Sequence, residues 1–310
     1  MLLLISKLGI WNVLYVFWYR ISIHTGFRKL FFPTKELIIN DKNPFKKSIK
    51  LLNQPKDWVD FHNDKAQGLF DGKLEYFFST RIENGNPPRW NTNPFNQKQV
   101  DNNFHWTETK EFGLNSGDIK ILWEPSRFYW LTDLALAYKY TGNIKYLNLM
   151  NSWFYDWVKG NPYNLGVNWR CGQEVSVRVI NILLSLTILK QELQYNLSIE
   201  SFLLKHLTRI ESNILYAIAQ DNNHGVSEAA GLFLGGVWLE RNSKRHKKNG
   251  KKFKRKGIKW LENRLNKLVS GDGSFSQHSV NYHRILVDLI TIVEFWNKKF
   301  NMNSFSKSFY

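Results

Sequence analysis

The stretch Gln220 to Gly236 (QDNNHGVSEAAGLFLGG) joins a polar knot, Asn222-Asn223-His224, to small residues at near-helical spacing. Amide and imidazole N–H groups donate hydrogen bonds, and unpaired backbone N–H groups at a helix start add to their pull on an anion. That combination suits a carboxylate, such as the one carried by an acidic sugar. Farther along, Gly271 to Arg284 (GDGSFSQHSVNYHR) places Tyr282 at the opening of another helical pattern, beside Arg284 and between His278 and His283. A phenol at the positive end of a helix dipole is a candidate for moving a proton. Ordinary roles compete at each position: Asn223 as a helix N-cap, His224 as a structural histidine, Tyr282 as a half-buried ring.

Two further polar clusters fall at helix boundaries. One is Trp123-Glu124-Pro125-Ser126-Arg127; the other is Asn168-Trp169-Arg170, followed by Glu174 and Arg178. Four-residue spacing puts Glu174 and Arg178 on one helical face and predicts an ion pair between them. Both clusters read either as the lining of a ligand groove or as buried pairs that fix helix register, with the tryptophans in the core. Glycoside hydrolysis needs two opposed carboxylic acids. Glu124, Glu174 and Glu228 are available for that, but no pair among them stands out. Cys171 is the only cysteine, which leaves no disulfide framework and no cysteine-based metal site.

The elements that must position these groups are helices. Apolar residues recur at three- and four-residue intervals through Arg127 to Tyr140, Ile144 to Val158, Val175 to Leu189 and Phe202 to Ala219. The same spacing runs through Val226 to Leu239, Ile258 to Leu268 and His283 to Trp296. Thr141-Gly142-Asn143, Gly160-Asn161-Pro162 and Gly271-Asp272-Gly273 supply helix stops between them. These helices predict an all-α array of antiparallel hairpins, of the kind that closes into an (α/α) toroid. Ala229, Ala230, Gly231, Gly235 and Gly236 predict a helix that a neighbour approaches closely, because glycine inside a helix costs roughly 1 kcal/mol against alanine and needs a reason. From Thr34 to Gly117 the pattern is irregular and rich in Pro and Asn, with Leu74 to Arg81 and Phe104 to Thr107 as short extended candidates. The expected organisation is residues 1–117 as an aromatic arm and irregular wrapping region, and 118–310 as the toroid domain.

Composition narrows the partners. Aromatic residues make up 15% of the 310, with 13 Trp, which fits either a packed aromatic core or rings stacked along a ligand groove. The net charge of +17 is concentrated in Arg241 to Lys256 (RNSKRHKKNGKKFKRK), which has no acidic residue. Lacking apolar periodicity, that run predicts a solvated loop between helices, with electrostatic capture of a polyanion as the sharper reading. Neither zinc-finger spacing nor an RNA-recognition signature is present to support a nucleic-acid partner. At the amino end, MLLLISKLGIWNVLYVFWYR has an uncharged run from Leu8 to Tyr19, too short to span a bilayer. No clear small-residue cleavage site follows it. It predicts an amphipathic aromatic arm that packs on the domain or rests at a membrane surface.

Taken together, WEPSRF, GVNWRCGQEVSVRVIN, DNNHGVSEAAGLFLGG and DGSFSQHSVNYHR, in that order and each at a helix edge, resemble the heparinase II/III family of polysaccharide lyases. The resemblance covers roughly Gly117 to Trp296 and weakens in the front half. It implies an (α/α) toroid that cleaves uronic-acid polysaccharides, heparin- or alginate-like, by β-elimination without a cofactor. Carried across by motif, Asn223, with His224 beside it, neutralises the substrate carboxylate, and Tyr282 serves as base, acid or both. Trp123, Arg127, Trp169, Arg170, Glu174, Arg178, His278 and His283 then face or brace the groove. Family members continue into further helices and a C-terminal β-sandwich that supplies another catalytic histidine and often a metal site; no metal-ligating residue is assignable here. The expectation is therefore an incomplete toroid, with that sandwich as a missing partner polypeptide. A non-catalytic polyanion-binding module is the alternative. The expected compartment is the periplasm, with the cytoplasm as the alternative.

Overall fold

The computed structural model describes residues 9–37, 39–48, 52–110, 115–302, 304–306 and 309. The most amino-terminal part of the apolar stretch, residues 1–8, lies outside them. Helices dominate: α1 Ile10–His24, α2 Phe27–Phe31, α3 Lys56–Phe70, α4 Ile119–Trp123, α5 Tyr129–Thr141 and α6 Ile144–Gly160. They continue with α7 Gly172–Ile188, α8 Leu197–Ala219, α9 Asn223–Asn242, α10 Lys247–Leu268 and α11 Val280–Lys299. One-turn 3-10 helices occupy Glu124–Arg127 and Val167–Trp169. A two-stranded antiparallel hairpin, β1 Lys73–Tyr76 and β2 Thr80–Glu83, pairs Leu74 with Ile82 and is the one sheet among the described residues. All seven helices predicted from apolar spacing are present as α5 to α11, and α7 to α11 extend beyond the predicted span, α10 most of all, since it starts at Lys247 rather than Ile258.

Two compact units divide the chain. One holds residues 1–31, 175–180 and 206–310; the other holds 32–174 and 181–205. At the centre of the first, α9 is buried along nearly its whole length from Asn223 to Leu239. The small residues make that possible. A Cβ on Gly236 would sit 2.4 Å from the backbone N of Lys254, one on Gly250 2.4 Å from Glu240 N, and one on Gly257 2.5 Å from Phe233 N. Thus α9 and α10 pack backbone against backbone, closer than any side chain allows.

The core of the second unit is aromatic. Phe128 is fully buried and stands at φ 68° as it hands the chain into α5. Such a backbone costs a bulky residue of order 1–3 kcal/mol, so its surroundings must hold it there. They do: Trp157 meets its ring edge-on at 4.9 Å and Trp130 at 5.3 Å, with Phe202 at 6.0 Å. Nine of the 13 tryptophans are buried, so most of the aromatic surplus is packing.

Three expectations change. Lys56–Phe70 is a 15-residue helix where no helical periodicity was expected. Only Ala66 and Leu69 are fully buried on it, with Val59 and His62 half-buried, while Trp58 and Phe61 are exposed and blur the pattern. Phe104 to Thr107 contributes only an isolated bridge, His105 with Leu165, and no strand. The basic run does not form a loop beyond Ser243 to His246; from Lys247 it is α10. Its inward stripe, Gly250, Phe253, Gly257 and Leu261, has the helical period, but two of those four are glycines and carry no hydrophobic signal.

Candidate functional site

The turn ahead of α9 is clamped from two neighbouring helices. Asp221, at φ 49°, accepts from Arg264 Nη1 at 2.5 Å and from Lys267 Nζ at 2.6 Å, both on α10. Asn12 Nδ2 of α1 donates at 3.1 Å to Oδ2, the oxygen that Lys267 also engages. With the turn fixed, Asn222 becomes the helix N-cap, its side chain accepting from His224 N at 3.0 Å. Asn223 is therefore the first helical residue and not the cap. Ser227 Oγ donates to its carbonyl at 3.0 Å, and only 5% of the residue is exposed.

The second loop is folded onto the same place. Asp272 accepts from the backbone N and Oγ of Ser274 at 3.0 and 2.7 Å, and those bonds hold its carboxyl below the ordinary value. Gly273 takes φ 82° to close the turn, and buried Phe275 anchors it. Gln277 Oε1 then accepts from the backbone N of Asn223 at 2.8 Å. That bond ties the start of α9 to the loop that leads into α11, and α11 packs on α9. Tyr282 lies in the first turn of α11, and the residue is 41% exposed. His278 is exposed at φ 43°, and His283 is half-buried beside a shallow cavity of about 240 Å3 shared with Val280, Arg284, Val287 and Asp288. Asn223, His224, His278, Tyr282 and His283 thus all belong to the first unit.

Deeper in that unit, beneath Asn223 along α9, Glu228 is sealed from solvent with Oε2 lacking a hydrogen-bond partner among the described residues. Burial pushes its carboxyl up to about 8 despite the nearby Arg209 guanidinium. Arg178, fully buried, directs Nε to His206 Nε2 at 3.3 Å.

The remaining predicted positions lie in the second unit. Arg127 reaches Glu174 with two parallel bonds, Nε to Oε2 at 2.7 Å and Nη2 to Oε1 at 2.9 Å. Its Nη1 also bonds Glu124, whose Oε2 accepts from Phe77 N at 3.3 Å. Arg127, and not the Arg178 expected from i, i+4 spacing, is the ion-pair partner found at Glu174. Burial raises the Glu124 carboxyl, with Arg127 opposing, while the carboxylate of Glu174 holds the Arg127 guanidinium above its usual range against burial. Trp123 Nε1 donates to Val167 O at 2.9 Å, and Trp169, fully buried, donates to Asn161 O at 3.3 Å. Both rings are core, as is Arg178. Arg170 is half-buried, with Nη1 3.5 Å from Trp106 O.

Gln277 and Asp133 were not singled out from sequence. Asp133 borders a cavity of about 220 Å3 in the second unit, with Lys65, Glu75, Glu124 and Tyr129, and burial pushes its carboxyl up to about 6. Neither carries a local signal, because Gln277 matters only through a partner on another helix. No group of His, Cys, Asp and Glu suited to a metal occurs among the described residues.

A family model described as the heparinase II/III N-terminus matches residues 55–310. The chain belongs to the heparinase II/III family. A heparin-sulfate lyase of Pedobacter heparinus is 26% identical over 180 residues, which are 56% of this chain and 26% of that protein. The crystal structure of heparan sulfate lyase from the same organism overlays 96% of this chain and 41% of its own at a TM-score of 0.53 and 19% identity. A heparinase III crystal structure overlays 94% and 43% at 0.56 and 14% identity. The chain thus spans well under half the length of these relatives. The shared fold is all-α, that of an incomplete (α/α) toroid.

Proposed function

We propose that this chain carries the lyase site of a protein that cleaves a uronic-acid-containing anionic polysaccharide by β-elimination. The observation that supports this most is the Gln277–Asn223 bond, which brings an amide at a helix start and the loop before an exposed phenol into one unit. In this reading Asn223, with His224 beside it, donates hydrogen bonds to the uronate carboxylate. The C5 proton, α to that carboxylate, then becomes removable because charge flowing onto the carboxylate is stabilised. Tyr282, as phenolate, takes the C5 proton. The electron pair forms the C4–C5 double bond, the C4–O bond breaks, and the tyrosine returns a proton to the departing oxygen. The product pair is an unsaturated uronate and a free hydroxyl.

The Arg127–Glu124–Glu174 network serves as a brace in this account. Glu124 and Glu174 are both engaged by Arg127, and Glu228 is sealed, which disfavours a hydrolase built on any two of them. A second reading rests on the outward side of α10, where Lys247, Lys248, Lys251, Lys252 and Arg255 are exposed. They would suit a binding module that holds a polyanion without cutting it. Incubating the chain with heparan sulfate, alginate or hyaluronan and following the absorbance of the unsaturated uronate separates the two. Binding without that chromophore favours the module, and new reducing ends without it favour hydrolysis.

A further inference from the structure

We propose that the outward face of α1 and α2 is a monotopic anchor that lies in the interface of an anionic lipid membrane, a proposal independent of the lyase reading. On α1, Ile10, Trp11, Leu14, Phe17, Trp18 and Ile21 are exposed and recur at three- and four-residue steps, so they form one stripe along the helix. The stripe continues onto α2 through exposed Phe27, Leu30 and Phe31. Trp18 meets Phe27 at 6.0 Å between ring centroids, and Phe27 meets Phe31 at 4.4 Å, so the patch is continuous across the bend.

The opposite face is a built mount. Tyr19 is buried and stacks on Tyr216 at 3.7 Å, with the buried Arg28 guanidinium 4.4 Å from the Tyr19 ring centroid. Arg28 donates to Ser22 Oγ at 2.8 Å and to the Ser212 carbonyl at 3.2 Å, and bonds Asn213 as well. Asn12 is held by Asp221. A helix pinned this way on one side displays its apolar side by construction. Exposed apolar surface of this extent on a soluble face calls for a partner.

Chemistry selects the partner. Tryptophan and phenylalanine favour the boundary between headgroups and acyl chains. Residues 9–31 contain no Asp or Glu, while Arg20, His24 and Lys29 are exposed there. That charge complements anionic headgroups and opposes pairing with a second copy, whose same face would bring like charges together. Among the described residues no helix is long and apolar enough to cross a membrane, and the proposal accordingly lays α1 and α2 along the surface.

Flotation of the full chain with phosphatidylcholine vesicles, with and without phosphatidylglycerol, tests this. Wild type should float with the anionic vesicles and much less with the neutral ones. The exposed double variant Phe17→Ser/Trp18→Ser should lower the bound fraction at least tenfold with an unchanged melting curve, and Arg20→Glu about fivefold. Brominated lipid should quench tryptophan fluorescence in wild type, a readout that needs no variant. Absence of flotation and quenching, or flotation unchanged in the double variant, overturns the proposal. So does a dimer in light scattering that the double variant converts to monomer, since the face then belongs to a second copy.

Discussion

In the proposed reaction Asn223 and Tyr282 carry the chemistry, and each makes a separate demand on experiment. Tyr282→Phe removes one hydroxyl from a ring that is already partly exposed, so turnover should fall by about 10²–10⁴ while polysaccharide binding stays nearly intact. Asn223→Ala should lose turnover and also weaken uronate binding, seen as a higher KM or a weaker titration. If either variant kept full rate, its assigned role would be wrong. Glu228 gives a prediction about pH. Its folded carboxyl sits at about 8 against 4.5 when unfolded, so between those values the unfolded chain has released a proton that the folded chain retains. Ionising it favours unfolding, and its contribution to stability therefore falls as pH rises from about 4.5 to 8. Glu228→Gln should flatten that slope in denaturant titrations; an unchanged slope would place the titration elsewhere. At this scale Asn223, His224 and Tyr282 were legible as residue types at helix starts. Gln277 was not, because a glutamine in a polar loop announces nothing until its partner is known. Glu174 was visible as half of an ion pair, but its partner Arg127 comes from the preceding cluster rather than its own helix.

The helices from α5 onward were written in their apolar period, and their boundaries in Gly-Asn and Gly-Asp-Gly stops. One helix and half of another escaped for different reasons: α3 buries too little on one side and exposes two large aromatics on the other, and the first half of α10 faces its neighbour with glycine. The α9–α10 contact is the sharpest test of packing. Gly236→Ala would push a methyl into the Lys254 backbone, which cannot yield as a side chain would, and should cost about 3 kcal/mol or prevent folding. Ala substituted at Gly271, with nothing within 4 Å of its Cβ position, is the matched control and should lose far less. Gln277→Ala tests the tie between the two loops. If that bond positions Asn223, kcat should fall several-fold with a small change in melting temperature and in KM; an unchanged kcat would make the bond incidental.

For the whole molecule, family membership and the all-α fold were accessible from four ordered motifs, whereas the two compact units were not, since α7 and α8 each contribute to both. The chain corresponds to 41% of the heparan sulfate lyase it overlays, so the assay of this chain by itself tests whether these residues suffice for turnover. The direct measurement is the absorbance of unsaturated uronate when wild type and Tyr282→Phe are each incubated with a uronate polysaccharide at equal bound substrate. The account predicts a rising signal for wild type and none for the variant. Equal signals from both, or cleavage by wild type with no unsaturated product, would contradict it.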